Sequence, residues 1–406
     1  MTSSPPGTPS SARSETSVPP ASSPTLATTR GPGPLLKIAL YLGCVLLLGS
    51  LLAPLLYAGG KWLAALLVSF KQDGTPGLGW LVNKFTIHEF DSYYNRAFLV
   101  AALGLLWPFL KWMGISRDSL GLKKNPLKLA DMLMGLLLAG SFLAFMGLVL
   151  LQTGAFTAKP NPDWQGILTQ ATLAAIGASL MEEWIFRGIF LGVALRAARP
   201  WQAMVFVAAL FSILHLMQAP DLNVKDKTTR QELTVLRKER WQLLATNHAA
   251  DPAKNDWITD PAMARFAPSR VDGTAGLAMT LEIFRRNAQP ALFISEFLTL
   301  FAIGLILAWA RVRTDSLWLP IGLHSGWIFM NTLYMGTTVT TRAMRKGEFN
   351  WGSGDHAIPL IGAQLKIGLL PLAVLALTAM AVWWWLRFRL KKLPPDQGRD
   401  RQGIQS

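Results

Sequence analysis

Cysteine is nearly absent: Cys44 is the only one among 406 residues. A single thiol excludes an intrachain disulfide and any cysteine-cluster metal site. Lying in an apolar run, Cys44 reads as a small packing residue. Charge is scarce as well. Only 16% of the residues are Asp, Glu, Lys or Arg, while 51% are apolar; an ordinary soluble domain carries about 25% charged residues. Low charge with apolar residues in long blocks excludes a soluble globular chain and indicates a multi-span membrane protein. Acidic residues are the scarcer sign, 24 against 39 basic, for a net charge of +15. In a soluble protein that excess suggests nucleic acid. Here most Lys and Arg sit in short loops and at the ends of apolar blocks, as membrane orientation requires, so no nucleic-acid partner is expected.

Residues 1–33 are rich in Ser, Thr, Pro and Ala, with Arg13, Glu15 and Arg30 their only charges. That composition cannot bury a core and predicts a disordered tail. The first apolar block starts only at Leu35, too far along for a signal peptide, so the tail is expected to be retained. A helical crossing takes ~20 mostly apolar residues. Eight segments are candidates, near 35–57, 97–113, 129–151, 166–195, 201–217, 291–310, 317–336 and 365–388. Residues 61–70 extend the first or form an interfacial turn. The expected fold is an all-α, polytopic integral membrane helix bundle of about eight transmembrane helices.

The expected organisation is N-terminal transmembrane helices over 34–165 and a core over 166–336 carrying a polar insertion at 218–290. A loop and last transmembrane helix follow at 337–390, then a basic tail at 391–406. Within the insertion, Thr229 to Ala245 has the spacing of an amphipathic helix, and the rest, with Asp251-Pro252, Asp260-Pro261 and Ala267-Pro268, reads as turns and loop. Lys111, Arg117, Lys123, Lys124 and Lys128, then Arg196 and Arg199, Arg311 and Arg313, and Arg387, Arg389, Lys391 and Lys392 all fall on one side. The positive-inside rule makes that side, and both termini, cytoplasmic. The insertion then lies outside the cytoplasm, since loops beyond ~60 residues translocate largely regardless of charge. A bacterial inner (plasma) membrane is the expected location.

Against this background Met181-Glu182-Glu183-Trp184-Ile185-Phe186-Arg187 stands out. It puts three charges into an apolar segment, where each costs roughly 2.5–3.5 kcal/mol and is rarely without function. Residues four apart share a helical face, so Glu183 and Arg187 can pair. Glu182 lies about 100° round the helix and lacks that partner, which leaves it as the carboxylate available for general base catalysis. A salt bridge locking two spans together is the structural alternative. Two histidines occupy later apolar segments, His215 in Phe211-Ser212-Ile213-Leu214-His215 and His324 in Leu317-Trp318-Leu319-Pro320-Ile321-Gly322-Leu323-His324-Ser325-Gly326-Trp327. Gly322, Ser325 and Gly326 permit close helix approach or make room for a substrate backbone.

At ~1.5 Å per residue, Glu182 and His215 both lie ~20 Å from the cytoplasmic end of their spans, whereas His324 is only ~12 Å from Ser316. Pro320 disfavours a continuous helix there. A non-helical stretch from Ser316 to Pro320, buried by protein, would close the difference.

These residues resemble the CPBP family of intramembrane glutamic endopeptidases, also called the Abi or CAAX-protease family. Its signals are Glu-Glu-x-x-x-Arg, then Phe-x-x-x-His, then a His usually followed four residues later by Asn. They match Glu182-Glu183…Arg187, Phe211…His215 and His324. The resemblance implies hydrolysis of a peptide bond in a membrane-associated protein or peptide by water activated by Glu182 and His215. His324 would stabilise the oxyanion, with Glu183 and Arg187 structural. It also implies metal-free catalysis without a cofactor. Glu plus two His is a possible zinc set, but no His-Glu-x-x-His helix is present. One position departs from the pattern: Ile328 stands where Asn is usual, and Asn331 lies about two turns beyond His324 on nearly the same face. The alternative is a noncatalytic membrane scaffold or immunity-type binding protein that retains the fold.

Overall fold

A computed structural model describes residues 33–70, 90–114, 120, 125–217, 273–287, 290–345, 348–351, 358–361, 365 and 368–392. The N-terminal tail, Thr229 to Ala245 and most of the basic C-terminal tail lie outside these residues. α1 (Pro34–Phe70) is continuous through 61–70, so that segment extends the first helix. α2 (Phe90–Met113) runs antiparallel to it: Lys37 near the start of α1 lies over the Trp112 ring at 5.0 Å, and Tyr41 donates to the Ala102 carbonyl at 2.8 Å. Cys44 is exposed on the outer surface of α1 rather than packed.

α3 (Lys128–Gln152) precedes a strand β1 (Phe156–Ala158). Asp163 then caps α4 (Trp164–Glu183) by accepting from the Gly166 amide at 3.0 Å. The helix widens into a π segment (Trp184–Phe190) and ends in α5 (Leu191–Ala194). α6 (Pro200–Leu216) starts with proline in its first turn, where the missing amide costs nothing. α7 (Ala275–Asn287) and α8 (Pro290–Thr314) lead to α9 (Trp318–Thr337). β2 (Thr338–Thr340), the short α10 (Arg342–Arg345), β3 (Asn350–Trp351), β4 (Ile358–Pro359) and α11 (Leu369–Lys392) complete the described chain. β1 pairs antiparallel with β2, and β3 with β4, a small addition to the expected all-α fold.

Every apolar segment expected to cross contains a helix, the last beginning at Leu369. Five helices among the described residues are long and apolar enough to do so: Pro34–Leu63, Phe90–Met113, Lys128–Gln152, Glu296–Thr314 and Leu369–Arg389. The expected eight crossings are therefore not established by length and apolarity. α4 and α9 fall short because polar, small and tryptophan residues are spread along them, and α6 because it is brief. Two expectations for the 218–290 insertion and the turn before α9 also need correction. The stretch 275–287 is a helix rather than loop: Ala275, Met279 and Ile283, four residues apart, are buried against Ala53, Tyr57 and Tyr94. Nor is Ser316 to Pro320 extended. α9 begins at Trp318 with Pro320 in its first turn, where proline breaks no helical hydrogen bond. The turn itself is buried by protein, Ser316 and Leu317 being 1% and 2% exposed. Asp315 makes the turn at φ 49°, in the left-handed region where Asp is enriched.

α9 is held between α3 and α4. Its contact with α3 is backbone on backbone. A Cβ on Gly135 would lie 2.7 Å from the Leu319 carbonyl, one on Gly326 would lie 2.6 Å from that of Leu136, and one on Gly322 would strike the Met132 carbonyl. Gly322 and Gly326 thus admit a neighbouring helix, not a substrate. Gly322→Ala is expected to destabilise the protein by about 1–3 kcal/mol through overpacking. Gly104→Ala, where the added methyl has nothing within 4 Å, should not. Thermal unfolding in detergent compares the two; equal unfolding temperatures would contradict the close α3–α9 contact.

Candidate active site

The site is built where α4 passes into the π segment. Glu182 and Glu183 close the last α-helical turn, and the wider helix over Trp184–Phe190 follows at once; such π segments occur mostly as local insertions and often at functional sites. Glu183 and Arg187 are fully buried. Arg187 Nη1 donates to Glu183 Oε1 at 2.8 Å, and Nη2 to the Gly304 carbonyl of α8 at 3.3 Å. The guanidinium lies 4.5 Å from the centre of the Phe211 ring and 5.7 Å from that of Phe186, a cation–π setting that compensates lost water. Gly304 is what brings the carbonyl close. A Cβ there would lie 2.9 Å from Ala208 Cα on α6.

Glu183 has a second partner that sequence reading did not assign. His324 Nδ1 donates to the same Oε1 at 2.8 Å. Glu183 is therefore more than the counter-ion of Arg187, because it also orients the histidine of α9. Below it, Ser179 and Ser325 share a hydroxyl–hydroxyl hydrogen bond at 2.6 Å, and Ser325 also donates to the Ala175 carbonyl at 3.3 Å. Two polar rungs thus fix α9 against α4 along their axes. Ser179 is four residues before Glu183, a spacing that marks the same face.

Glu182 points to the two histidines. Its Oε2 lies 3.3 Å from His215 Nε2 and 3.7 Å from His324 Nε2, with side-chain exposures of 24%, 20% and 8% for Glu182, His215 and His324. His215 Nδ1 lies 2.9 Å from the Phe211 carbonyl. A carbonyl only accepts, so Nδ1 carries hydrogen and Nε2 faces Glu182. Glu183, paired with Arg187, likewise accepts from His324 Nδ1, which turns that Nε2 to Glu182 as well. Glu182 Oε2 and the Nε2 atoms of both histidines therefore converge. Two acceptors as close as Glu182 Oε2 and His215 Nε2 repel unless a proton lies between them, so this pair is a site for holding and passing one proton. Phe211 packs against the His215 ring with centroids 4.0 Å apart.

Ile328 and Asn331 are half-buried on α9. Asn331 is seven residues beyond His324, ~10 Å along the axis, and is not brought to the three converging atoms. Among the described residues no group of three His, Cys, Asp or Glu side chains is arranged to hold a metal ion.

Residues 164–330 match the family model for Rce1-like type II CAAX prenyl endopeptidases. This segment, which contains Glu182, Glu183, Arg187, His215 and His324, is a CAAX-protease-family domain. No curated protein and no solved structure matches the chain. The domain sits in a multi-pass membrane protein, flanked by helices on both sides.

Arg187→Met leaves the Glu183 carboxylate buried without its cation. Loss of one partner from a buried pair costs about 3–5 kcal/mol, so this variant is expected to unfold well below the wild type in a thermal melt in detergent. Arg187→Met together with Glu183→Gln should recover much of the loss. Failure of the double variant to recover would mean that Arg187 acts through packing rather than charge.

Proposed function

We propose that this chain is an intramembrane endopeptidase that hydrolyses a peptide bond of a membrane-associated protein or peptide. The observation that carries this reading is the convergence of His215 Nε2 and His324 Nε2 on Glu182 Oε2, at 3.3 and 3.7 Å. The family match over 164–330 supports it. Water bound beside Glu182 gives its proton to the carboxylate, and the hydroxide attacks the scissile carbonyl carbon. His324, taken as an imidazolium whose Nδ1–H is held by the Glu183 carboxylate, donates its Nε2–H to the new oxyanion and keeps both protons throughout, which stabilises the tetrahedral intermediate. The imidazolium of His215 gives its proton to the departing amine nitrogen and regains one from Glu182. The pair is then restored with one shared proton, and no acyl-enzyme forms. Glu183, Arg187, Phe211, Ser179 and Ser325 hold this geometry.

In this reading the chain crosses a bacterial inner membrane about eight times with both termini cytoplasmic. α4–α5, α6 and α9 cross as parts of the site-bearing core 166–336. Exposed Trp112 and Trp201 near one end of the bundle, with Trp62 and Trp164 near the other, support two interfacial aromatic belts. The noncatalytic scaffold is the second reading, and Ile328 is the observation that favours it.

Purified protein in vesicles, incubated with membrane-inserted peptides and read by mass spectrometry, tests the proposal. Glu182→Gln is expected to lower cleavage about 10²–10⁴-fold, the span of general base catalysis, with folding unchanged. Cleavage by that variant at the wild-type rate would contradict the proposal. Ile328→Asn adds a donor one helical turn past His324 and is expected to raise kcat; an oxyanion donor contributes about 10²–10³ elsewhere. A kcat unchanged or lowered would show that the oxyanion does not lie beside this position.

A further inference from the structure

A second buried ion pair lies away from the site, and its members come mostly from outside the 164–330 domain. Asp131, in the first turn of α3, is fully buried and Arg389, near the end of α11, is 2% exposed. Arg389 Nε donates to both Asp131 oxygens at 2.8 and 3.0 Å, and Trp385 Nε1 adds a bond to Oδ1 at 3.3 Å. Asn125 extends the cluster. Its Nδ2 donates to Asp131 Oδ2 at 2.9 Å and to Ser316 Oγ at 3.1 Å, while its Oδ1 accepts from Arg389 Nη2 at 3.3 Å. Ser316 Oγ also accepts from the Trp318 amide at 3.4 Å, and Thr314 donates to the Ser316 carbonyl at 3.0 Å. The last link in this chain is the first amide of α9.

An isolated Arg–Asp pair buried in a helix bundle often contributes less stability than apolar side chains of the same volume. Its place here suggests another use. α9 has three constraints on its position along the bundle: the Glu183–His324 and Ser179–Ser325 rungs from α4, the β1–β2 pairing with the Lys159 bonds at its far end, and this cluster at the turn that precedes it, the one on the same side of His324 as Trp318. The contact with α3 is a smooth run of glycines. It sets the distance between the helices, with the Tyr334 ring seated over Gly147 and Met330 beside Gly140 further along. His324 is six residues past Trp318, ~9 Å along the axis, so any shift of the Ser316 turn is carried into the site by a rigid helix.

We propose that Arg389, Asp131, Asn125 and Ser316 are positioning residues for the peptidase reaction. They clamp the start of α9 so that His324 Nε2 stays within reach of the reacting carbonyl. α11 is then a working part of the enzyme and not only a further membrane helix. This inference rests on the endopeptidase reading above.

The test uses the full-length protein in vesicles with the same inserted peptides, measuring kcat, KM and unfolding temperature for Ser316→Ala, Arg389→Met and Asp131→Asn/Arg389→Met. Arg389→Met alone strands a buried carboxylate and is expected to unfold earlier. The double variant removes both charges and is expected to return to the wild-type unfolding temperature. Ser316→Ala removes one hydroxyl and should fold normally. Both of the well-folded variants are nevertheless expected to lose about 100-fold in kcat at unchanged KM, the cost of a misplacement near 1 Å. Wild-type kcat in Ser316→Ala and in the double variant would overturn the clamp. So would kcat losses that simply follow the unfolding temperature, since the cluster would then be structural alone. If the wild type itself cleaves no better than Glu182→Gln, the endopeptidase reading has failed instead.

Discussion

One carboxylate oxygen organises this protein. Glu183 Oε1 accepts from Arg187 and from His324, each at 2.8 Å, with every partner buried. In an apolar interior such charge-assisted bonds are strong, and breaking any of them strands a charge. Through Arg187 the same oxygen reaches the Gly304 carbonyl on α8, and through His324 it fixes α9. The elements that carry Glu182, His215 and His324 are therefore assembled around an acid that is itself fully buried. Glu182, one residue earlier, can remain partly exposed and reactive because its neighbour carries the structural burden.

Small residues make that arrangement reachable. Gly304 lets α8 touch α6, and Gly135, Gly322 and Gly326 let α3 and α9 meet backbone to backbone. In a bilayer, helices gain little from burying apolar faces, so close packing and interhelical hydrogen bonds drive association. The chain uses both, with glycine contacts between α3 and α9 and the Ser179–Ser325 and Glu183–His324 bonds between α4 and α9. The turn before α9 is buried with its own polar partners.

Much of this was legible in the sequence, for identifiable reasons. Apolar blocks located the helices, because backbone satisfaction in lipid leaves few alternatives. Charges in apolar segments located Glu182, Glu183 and Arg187. The same rule applies to Asp131, which sits in an apolar helix just as they do but was not singled out; Arg389 was read as an orientation signal although it is buried. The Gly304 carbonyl was illegible in principle, since a backbone acceptor has no residue signature. The depth of α9 also escaped sequence reading. Pro320 is compatible with an extended segment or with a first helical turn, and only the buried Ser316 turn decides between them. α7 was missed because its Ala275, Met279 and Ile283 stripe is short and interrupted by charge.

The central claim is that Glu182 performs hydrolysis inside the membrane. Sequencing of newly formed protein N-termini in membranes from cells carrying either the wild type or Glu182→Ala, at matched protein levels, addresses it most directly. A set of cleavage sites in membrane-associated proteins is expected to appear with the wild type and to be lost with the variant. Identical sets of N-termini in the two would contradict it.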